Sequence, residues 1–464
     1  MRRFFVQEEN GITEGVIWKQ LLIFFFPILF GTFFQQLYNT VDAVIVGRFV
    51  GTEALAAVGG STSVLINLLV NLFVGISSGT TVVVAQHFGA QNHEAVSQAV
   101  HTSFALAILG GAGLTVLGIA IAPATLGAMG TPADTLEGSL TYIRVYFLGI
   151  IASFIYNVGS GILRAVGDTK RPLYFLIVAC LCNIVLDVVF VVILRLGVLG
   201  VAIATLLSQI VSAVLVVFAL LKSTQSFHLF IRQIRFAGPV LRHVLSVGLP
   251  AGIQSDMYAI SNILIQFCVN SFGTSTVAAW AAFGKVDSLY WMISGAFGIS
   301  ITTFVGQNFG ARKYDRIKRS VRVCLGMSFG TTALMSVLMC LLSRFLLMMF
   351  TADSEVLRIG MEIMWIQVPF YFTYVCIEVL SGAIRGTGDS LIPMLMTCTG
   401  ICVMRVVWIF CVLPFRRELS TVVASYPITW AITSLLFIAY YLQGGWLRRR
   451  MAKQGPAPQQ PAQE

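Results

Sequence analysis

Long runs of mostly apolar residues alternate with short polar stretches along the whole chain. Twelve runs reach roughly 20 residues or more, each long enough to cross a hydrocarbon core about 30 Å thick. They cover residues 18–46, 54–84, 97–121, 139–163, 172–194, 198–221, 240–269, 274–305, 321–343, 359–383, 393–413 and 420–446. The pattern predicts an all-α integral membrane protein with twelve transmembrane helices. No cleaved signal peptide is expected, because the first run extends far beyond the apolar stretch of such peptides and no small-x-small cleavage site follows it.

Two polar motifs that interrupt the runs occur twice. Gln86-His87-Phe88-Gly89-Ala90 returns as Gln307-Asn308-Phe309-Gly310-Ala311, and Ser160-Gly161-x-Leu163-Arg164-x-x-Gly167-Asp168 returns as Ser381-Gly382-x-Ile384-Arg385-x-x-Gly388-Asp389, at one and the same offset. Two matches at one offset within apolar halves mark a duplicated membrane bundle, an arrangement common among transporters. An even number of spans separates equivalent positions, so the halves run parallel about an axis along the membrane normal. The predicted division is a six-helix bundle in 1–222, a cytoplasmic linker in 223–237, a second six-helix bundle in 238–446 and a disordered cytoplasmic tail in 447–464.

Composition strengthens the membrane assignment and charge orients it. Hydrophobic residues are 57% of the chain and charged residues 11%, against about 25% charged in soluble domains. If the N-terminus lies inside, the outer loops hold only Arg48, Arg195, Arg344, Arg358, Arg416 and Arg417; Arg144, Lys285 and Arg405 fall within spans, and the rest of the 30 Lys and Arg are inner. By the positive-inside rule both termini are cytoplasmic. The net charge of +10 then suits anionic lipid headgroups, and no nucleic-acid partner is expected. The nine cysteines lack metal-binding spacing and read as small core residues. No Walker motif and no cofactor-binding signature is present, so transport would run on an ion gradient.

The second motif also has a local structural reading. Arg164 meets the carbonyl end of span 4, Gly167 takes the left-handed stop conformation and Asp168 caps span 5; Arg385, Gly388 and Asp389 repeat this arrangement. Gln86–Ala90 and Gln307–Ala311 read as tight cytoplasmic helix ends.

With these duplicated motifs, Pro27 and Val41-Asp42-x-x-x-x-Gly47 in span 1, and Asn183-x-x-x-Asp187 in span 5, the chain resembles the MATE family of multidrug and toxic-compound extrusion antiporters, in its bacterial DinF/MepA-like branch. The resemblance covers residues 15–445. It implies a monomeric exporter of small organic cations, driven by H⁺ or Na⁺, in the cytoplasmic membrane of a prokaryote.

Polar groups inside spans are costly and therefore functional candidates. Asp42 follows Gln35, Gln36, Tyr38 and Asn39, a run expected to face the bundle interior. Asn183 and Asp187 are four apart, on one helix face. At about 1.5 Å per residue, Asp187 lies roughly 22 Å from the inner end of its span, and Thr205 roughly 10 Å from the outer end, so the two match in height. Two carboxylates, an amide oxygen and a hydroxyl suit a hard cation or a proton. In the relatives this arrangement is the proposed coupling-ion site, and Asp42, Asn183, Asp187 and Thr205 match it position by position. Asn157 matches a further polar position of the family. Pro27 removes a backbone hydrogen bond within span 1 and gives it a point to bend.

The second bundle carries Asp256, Lys285, Asp287, Glu378 and Arg405 in its spans, which read either as an ion-pair network or as groups lining a substrate cavity or proton path. NorM-type relatives carry acidic coupling residues in spans 7 and 10, where this chain has Tyr258 and Tyr374, with Asp256 and Glu378 nearby. Two functions from different classes follow. The first is ion-coupled efflux of cationic amphipathic compounds, with Gln35, Tyr38, Asn39, Asn157, Asp256, Lys285, Glu378 and Arg405 at the substrate cavity. The alternative is a flippase for a lipid-linked or glycolipid substrate, against which stands the small number of intramembrane bases. Nothing points to an enzyme, because the spans hold no catalytic motif.

Overall fold

The computed structural model describes residues 11–454. The first half contains α1 (Ile17–Phe49), α2 (Thr52–Gly59), α3 (Ser61–Gly89), α4 (His93–Ala128), α5 (Ala133–Ala165), α6 (Lys170–Asp187) and α7 (Gly197–Leu221). The second contains α8 (Gly238–Asn270), α9 (Thr274–Gly310), α10 (Tyr314–Leu341), the short α11 (Ser343–Met348), α12 (Ser354–Gln367), α13 (Phe372–Gly386), α14 (Leu391–Thr397), α15 (Met404–Cys411) and α16 (Leu419–Leu442), and α17 (Gly445–Gln454) follows. There is no strand among the described residues, as expected for a chain that must satisfy its backbone inside lipid.

Ten helices are long and apolar enough by themselves to cross a membrane, with α2 and α3 counted together and α14 and α15 likewise. An eleventh span comes from α12 and α13, bent by 52° at their junction. α8 has 33 residues, but Gln254, Ser255, Asp256 and Asn262 make it less apolar than the rest. Twelve crossings result when α8 and the bent pair are both counted.

The apolar core forms two clusters that exchange ends. Leu21, Phe24, Phe25 and Ile28 of α1 belong to the core of the second half, with the Phe25 and Phe297 rings 4.3 Å apart. Reciprocally, Val240 and Val244 of α8 belong to the core of the first half. Each bundle is therefore completed at one end by a helix of the other.

The end where the halves meet also carries both described termini. Lys313 Nζ donates to Thr13 O at 3.1 Å, and Tyr314 OH donates to Gln454 Oε1 at 2.7 Å, so both termini rest on the α9–α10 connection. α17 takes in residues 447–454 of the predicted tail: Leu447 is buried, as is Trp446 just before it, and Arg450 donates to Gly388 O at 2.7 Å. Beyond Gln454, the predicted tail lies outside the described residues. The predicted linker 223–237 is pinned to α4, because the Phe230 N–H donates to His101 Nε2 at 2.9 Å and the Ala237 N–H donates to Thr102 Oγ1 at 3.1 Å.

Glycine sets the closest approach of the halves. A Cβ on Gly75 of α3 would lie 2.2 Å from the backbone N of Gly252 on α8, and one on Gly79 would lie 2.4 Å from Val244 O. The helices cross with their backbones in contact, as small-xxx-small pairs permit in membranes. The glycines and Asp168 of the duplicated turn motif behave as its chemistry predicts: Gly167 and Gly388 have φ of +106° and +88°, and Asp168 Oδ1 accepts from the Arg171 N–H at 3.1 Å, whereas Arg385 Nη2 donates to Gln254 Oε1 of α8 at 3.0 Å rather than to a helix carbonyl.

Candidate functional site

Asp42 on α1 and Asp187 on α6 face each other inside the first bundle, close enough for their carboxyl groups to interact directly. Asp42 is 7% exposed, Asp187 and Asn183 are fully buried, and Thr205 on α7 is 1% exposed. The local fold explains this placement. α1 packs along α6, and Asn183 stands one turn before Asp187 on the same buried face. Asp187 ends the regular helix, and the next six residues, Val188–Ile193, form a π-helical segment. Such segments are frequent at functional sites because they shift the helix register locally.

The chemistry of this cluster is dominated by unpaired polar atoms, most of them oxygens. Asp42 Oδ1, both Asp187 oxygens, Asn183 Oδ1 and Nδ2, and Thr205 Oγ1 are buried without a hydrogen-bond partner in the protein. Buried polar groups are otherwise almost always paired. Two neighbouring carboxylates out of water repel unless a proton or cation joins them, so the set is suited to taking up one of these. The predicted quartet is thus brought together.

Tyr38 joins it, with its hydroxyl beside Thr205, and so does Tyr142 of α5. Tyr142, Tyr146 and its neighbour Gln209 were not singled out from the sequence. The spacing of four between the two tyrosines in span 4 was the available signal.

Other predicted residues lie elsewhere. Along the polar run of α1, Gln35, Gln36 and Asn39 are exposed, while Tyr38 is half-buried. Asn157 is apart from the carboxylates; its side-chain amide donates to Ser153 O at 2.8 Å, and its backbone carbonyl accepts from Ser77 Oγ at 2.8 Å. Pro27 sits in α1 without ending the helix, and Pro250 stands inside α8, the corresponding helix of the second half.

Asp256, Lys285, Asp287, Glu378 and Arg405 form no ion pair with one another or with any other residue among the described residues. Asp256 faces Asn71 of α3 across the junction of the halves. Lys285 is exposed. Glu378 accepts from Tyr374 OH at 3.3 Å and fills the space left by the missing side chain of Gly298. Tyr374 OH lies 3.4 Å from Tyr258 OH, so the tyrosines at the NorM-type acidic positions join in a hydrogen-bonded chain to Glu378. Arg405, 2% exposed, lines a cavity of about 360 Å³ together with Asp287 and aromatic rings of α8, α9, α13 and α16. A second π-helical segment, Cys398–Val403, directly precedes the helix carrying Arg405. The fifth span of each half therefore pairs a π-helical segment with a buried charged residue.

The family model MatE matches this chain twice, over residues 27–189 and 250–411. The chain belongs to the MATE family. The two matches repeat the internal duplication and begin at Pro27 and Pro250. Among MATE relatives, the chain is 28% identical over 445 residues to the probable multidrug resistance protein YoeA of Bacillus subtilis, covering 94% of this chain and 96% of that one. It is 26% identical over 437 residues to the probable multidrug resistance protein NorM of Thermotoga maritima, covering 93% of each. A MOP superfamily transporter from Pyrococcus furiosus has the same fold, with a TM-score of 0.89 at 22% identity over 97% of this chain and all of the other. A multidrug resistance MATE transporter solved in an outward-facing conformation also scores 0.89 at 22% identity, covering 96% and 99% of the two chains. The protein is a multi-pass membrane protein of a multidrug efflux transporter family.

Proposed function

We propose that the protein is a secondary active antiporter that exports cationic amphipathic organic compounds in exchange for H⁺ or Na⁺. The observation that carries this reading is the buried Asp42/Asp187 pair with its unmet oxygens. In the absence of a bound cation the pair holds negative charge that favours organic cations in the adjoining space; uptake of H⁺ or Na⁺ discharges it and favours release. Alternating access would come from rocking of residues 1–222 against 238–446 about the linker, with the terminus-bearing end, closed here, at the cytoplasm. Exchange of one H⁺ or Na⁺ for one monovalent organic cation moves no net charge, so the ion's concentration gradient drives it: a tenfold ion gradient, worth about 1.4 kcal/mol, supports roughly a tenfold gradient of cargo.

Proteoliposomes loaded with a fluorescent cationic dye under an imposed pH or Na⁺ gradient test this reading. Gradient-driven export by the wild type and its loss in Asp42→Asn and Asp187→Asn are expected. Export by both variants at the wild-type rate would remove these carboxylates from coupling.

A further inference from the structure

The cavity in the second bundle holds two charged groups in unequal circumstances. Asp287 is provided for within the protein, because Trp291 Nε1 donates to it at 2.7 Å and the Tyr371 hydroxyl donates to its other oxygen. Arg405 is not. Its guanidinium lies 4.0 Å from the centre of the Tyr426 ring and donates only to neutral oxygens, Asn262 Oδ1 at 3.2 Å and Ser261 Oγ at 3.4 Å. Its Nε is buried and has no partner. No carboxylate forms an ion pair with it among the described residues. A desolvated guanidinium without an acid is costly inside a membrane protein, and its planar fork is shaped for two carboxylate oxygens.

The remaining walls are flat rings. Trp291 and Trp430 stand with centroids 5.8 Å apart at 72°, and Tyr426 lies 5.5 Å from Trp430, which leaves faces and edges for a further ring. A volume of about 360 Å³ is within the range of small-molecule sites.

We propose that this cavity binds a planar aromatic carboxylate, with the acid on the free edge of Arg405 and the ring among Trp291, Tyr426 and Trp430. Asp287 on the α9 wall sets a limit on charge: it repels a second acid on the ligand and accepts an ammonium there. Monoacids and zwitterions enter, and diacids do not. The site lies in the opposite bundle from Asp42 and Asp187, so it goes beyond the coupling reading and stands or falls without it.

Isothermal titration calorimetry of the full chain in detergent tests the proposal with three probes: 2-naphthoate, the uncharged 2-naphthamide, and 2-naphthylmethylammonium. One naphthoate per chain is expected, bound at least tenfold more tightly than either other probe, with the preference erased in Arg405→Gln. Should Arg405→Gln fail to fold, Asn262→Asp supplies an internal acid beside Arg405 at an exposed position; naphthoate should then weaken tenfold while naphthamide is unaffected. The proposal is overturned if wild type binds no naphthoate or binds the three probes alike. It is equally overturned if either variant keeps the wild-type preference. Dye export by the same preparation reports on coupling separately, so loss of one activity leaves the other legible.

Discussion

Gln86 and Gln307 occupy equivalent places in the two repeats and make the same bond across the protein in opposite directions. Gln86 Nε2 donates to Gly386 O at 2.8 Å, and Gln307 Nε2 donates to Ala165 O at 2.6 Å. Each reaches the residue after the arginine of the other half's turn motif. Beside them, a Cβ on Gly89 would lie 2.0 Å from Gln307 O, and one on Gly310 would lie 1.9 Å from Gln86 O. The two duplicated motifs are thus the two sides of one closure at the terminus-bearing end.

Removing one of these bonds should loosen that closure without unfolding either half. A neutral hydrogen bond contributes about 1 kcal/mol net, so Gln86→Ala or Gln307→Ala should each speed amide exchange of residues 84–92 and 305–313 roughly fivefold. Hydrogen-exchange mass spectrometry reads this directly. Equal effects of the two single variants and a larger one in the double variant are expected; an effect of one alone would break the symmetry.

Asn183 offers a separation of stability from activity. Its amide is buried with neither atom paired, and replacing an unpaired polar group with an apolar one of similar shape removes a desolvation cost of about 1–3 kcal/mol. Asn183→Leu should raise the thermal midpoint in detergent while lowering gradient-driven dye export. A stable variant with full export would assign Asn183 to packing alone.

The α3–α8 crossing has no room for a methyl group, because the atoms a Gly75 side chain would strike are backbone. Gly75→Ala should destabilise the protein by about 1–3 kcal/mol through overpacking and abolish transport by holding the halves apart. Gly284→Ala, with nothing within 4 Å of the added carbon, is the control. Thermal unfolding of both variants decides the point.

Gly167 and Gly388 tie the turn motif to backbone conformation. Their φ values of +106° and +88° cost an L-residue about 1–2 kcal/mol. Gly167→Ala and Gly388→Ala should therefore each lower thermal stability by a comparable amount, measured by the shift in unfolding midpoint. No loss at either position would mean that the turn relaxes to a different stop.

Much of the fold was legible because the signals are local. Apolar length gives the spans, the repeated motifs give the halves, and Gly167 with Asp168 gives a helix stop and start. Asp42, Asn183 and Asp187 were also readable, since charge and amide groups stand out against apolar spans and helical spacing aligns two of them, while Thr205 entered through its matching height and the family resemblance. What was hidden depends on register between distant helices. The hydrogen bonds of Asn157 and the partners of Gln86 follow from packing that no single span encodes. The π-helical segments after Asp187 and before Arg405 carry no distinctive residues. The aromatic walls around Arg405 looked like ordinary packing, because Trp and Tyr in an apolar span are uninformative until a shared cavity relates them.

The backbone-to-backbone crossing at Gly75, Gly79, Gly248 and Gly252 has a mechanical consequence. Interlocked side chains would have to climb over one another for the bundles to tilt, with a barrier at every rotamer. Two smooth ridges of glycine would act as a bearing instead, allowing a small angular swing while the spacing of the axes stays constant. On the alternating-access reading proposed above, the work of changing state would then fall on the paired glutamines and the buried acids, where ions and cargo would exert leverage on it.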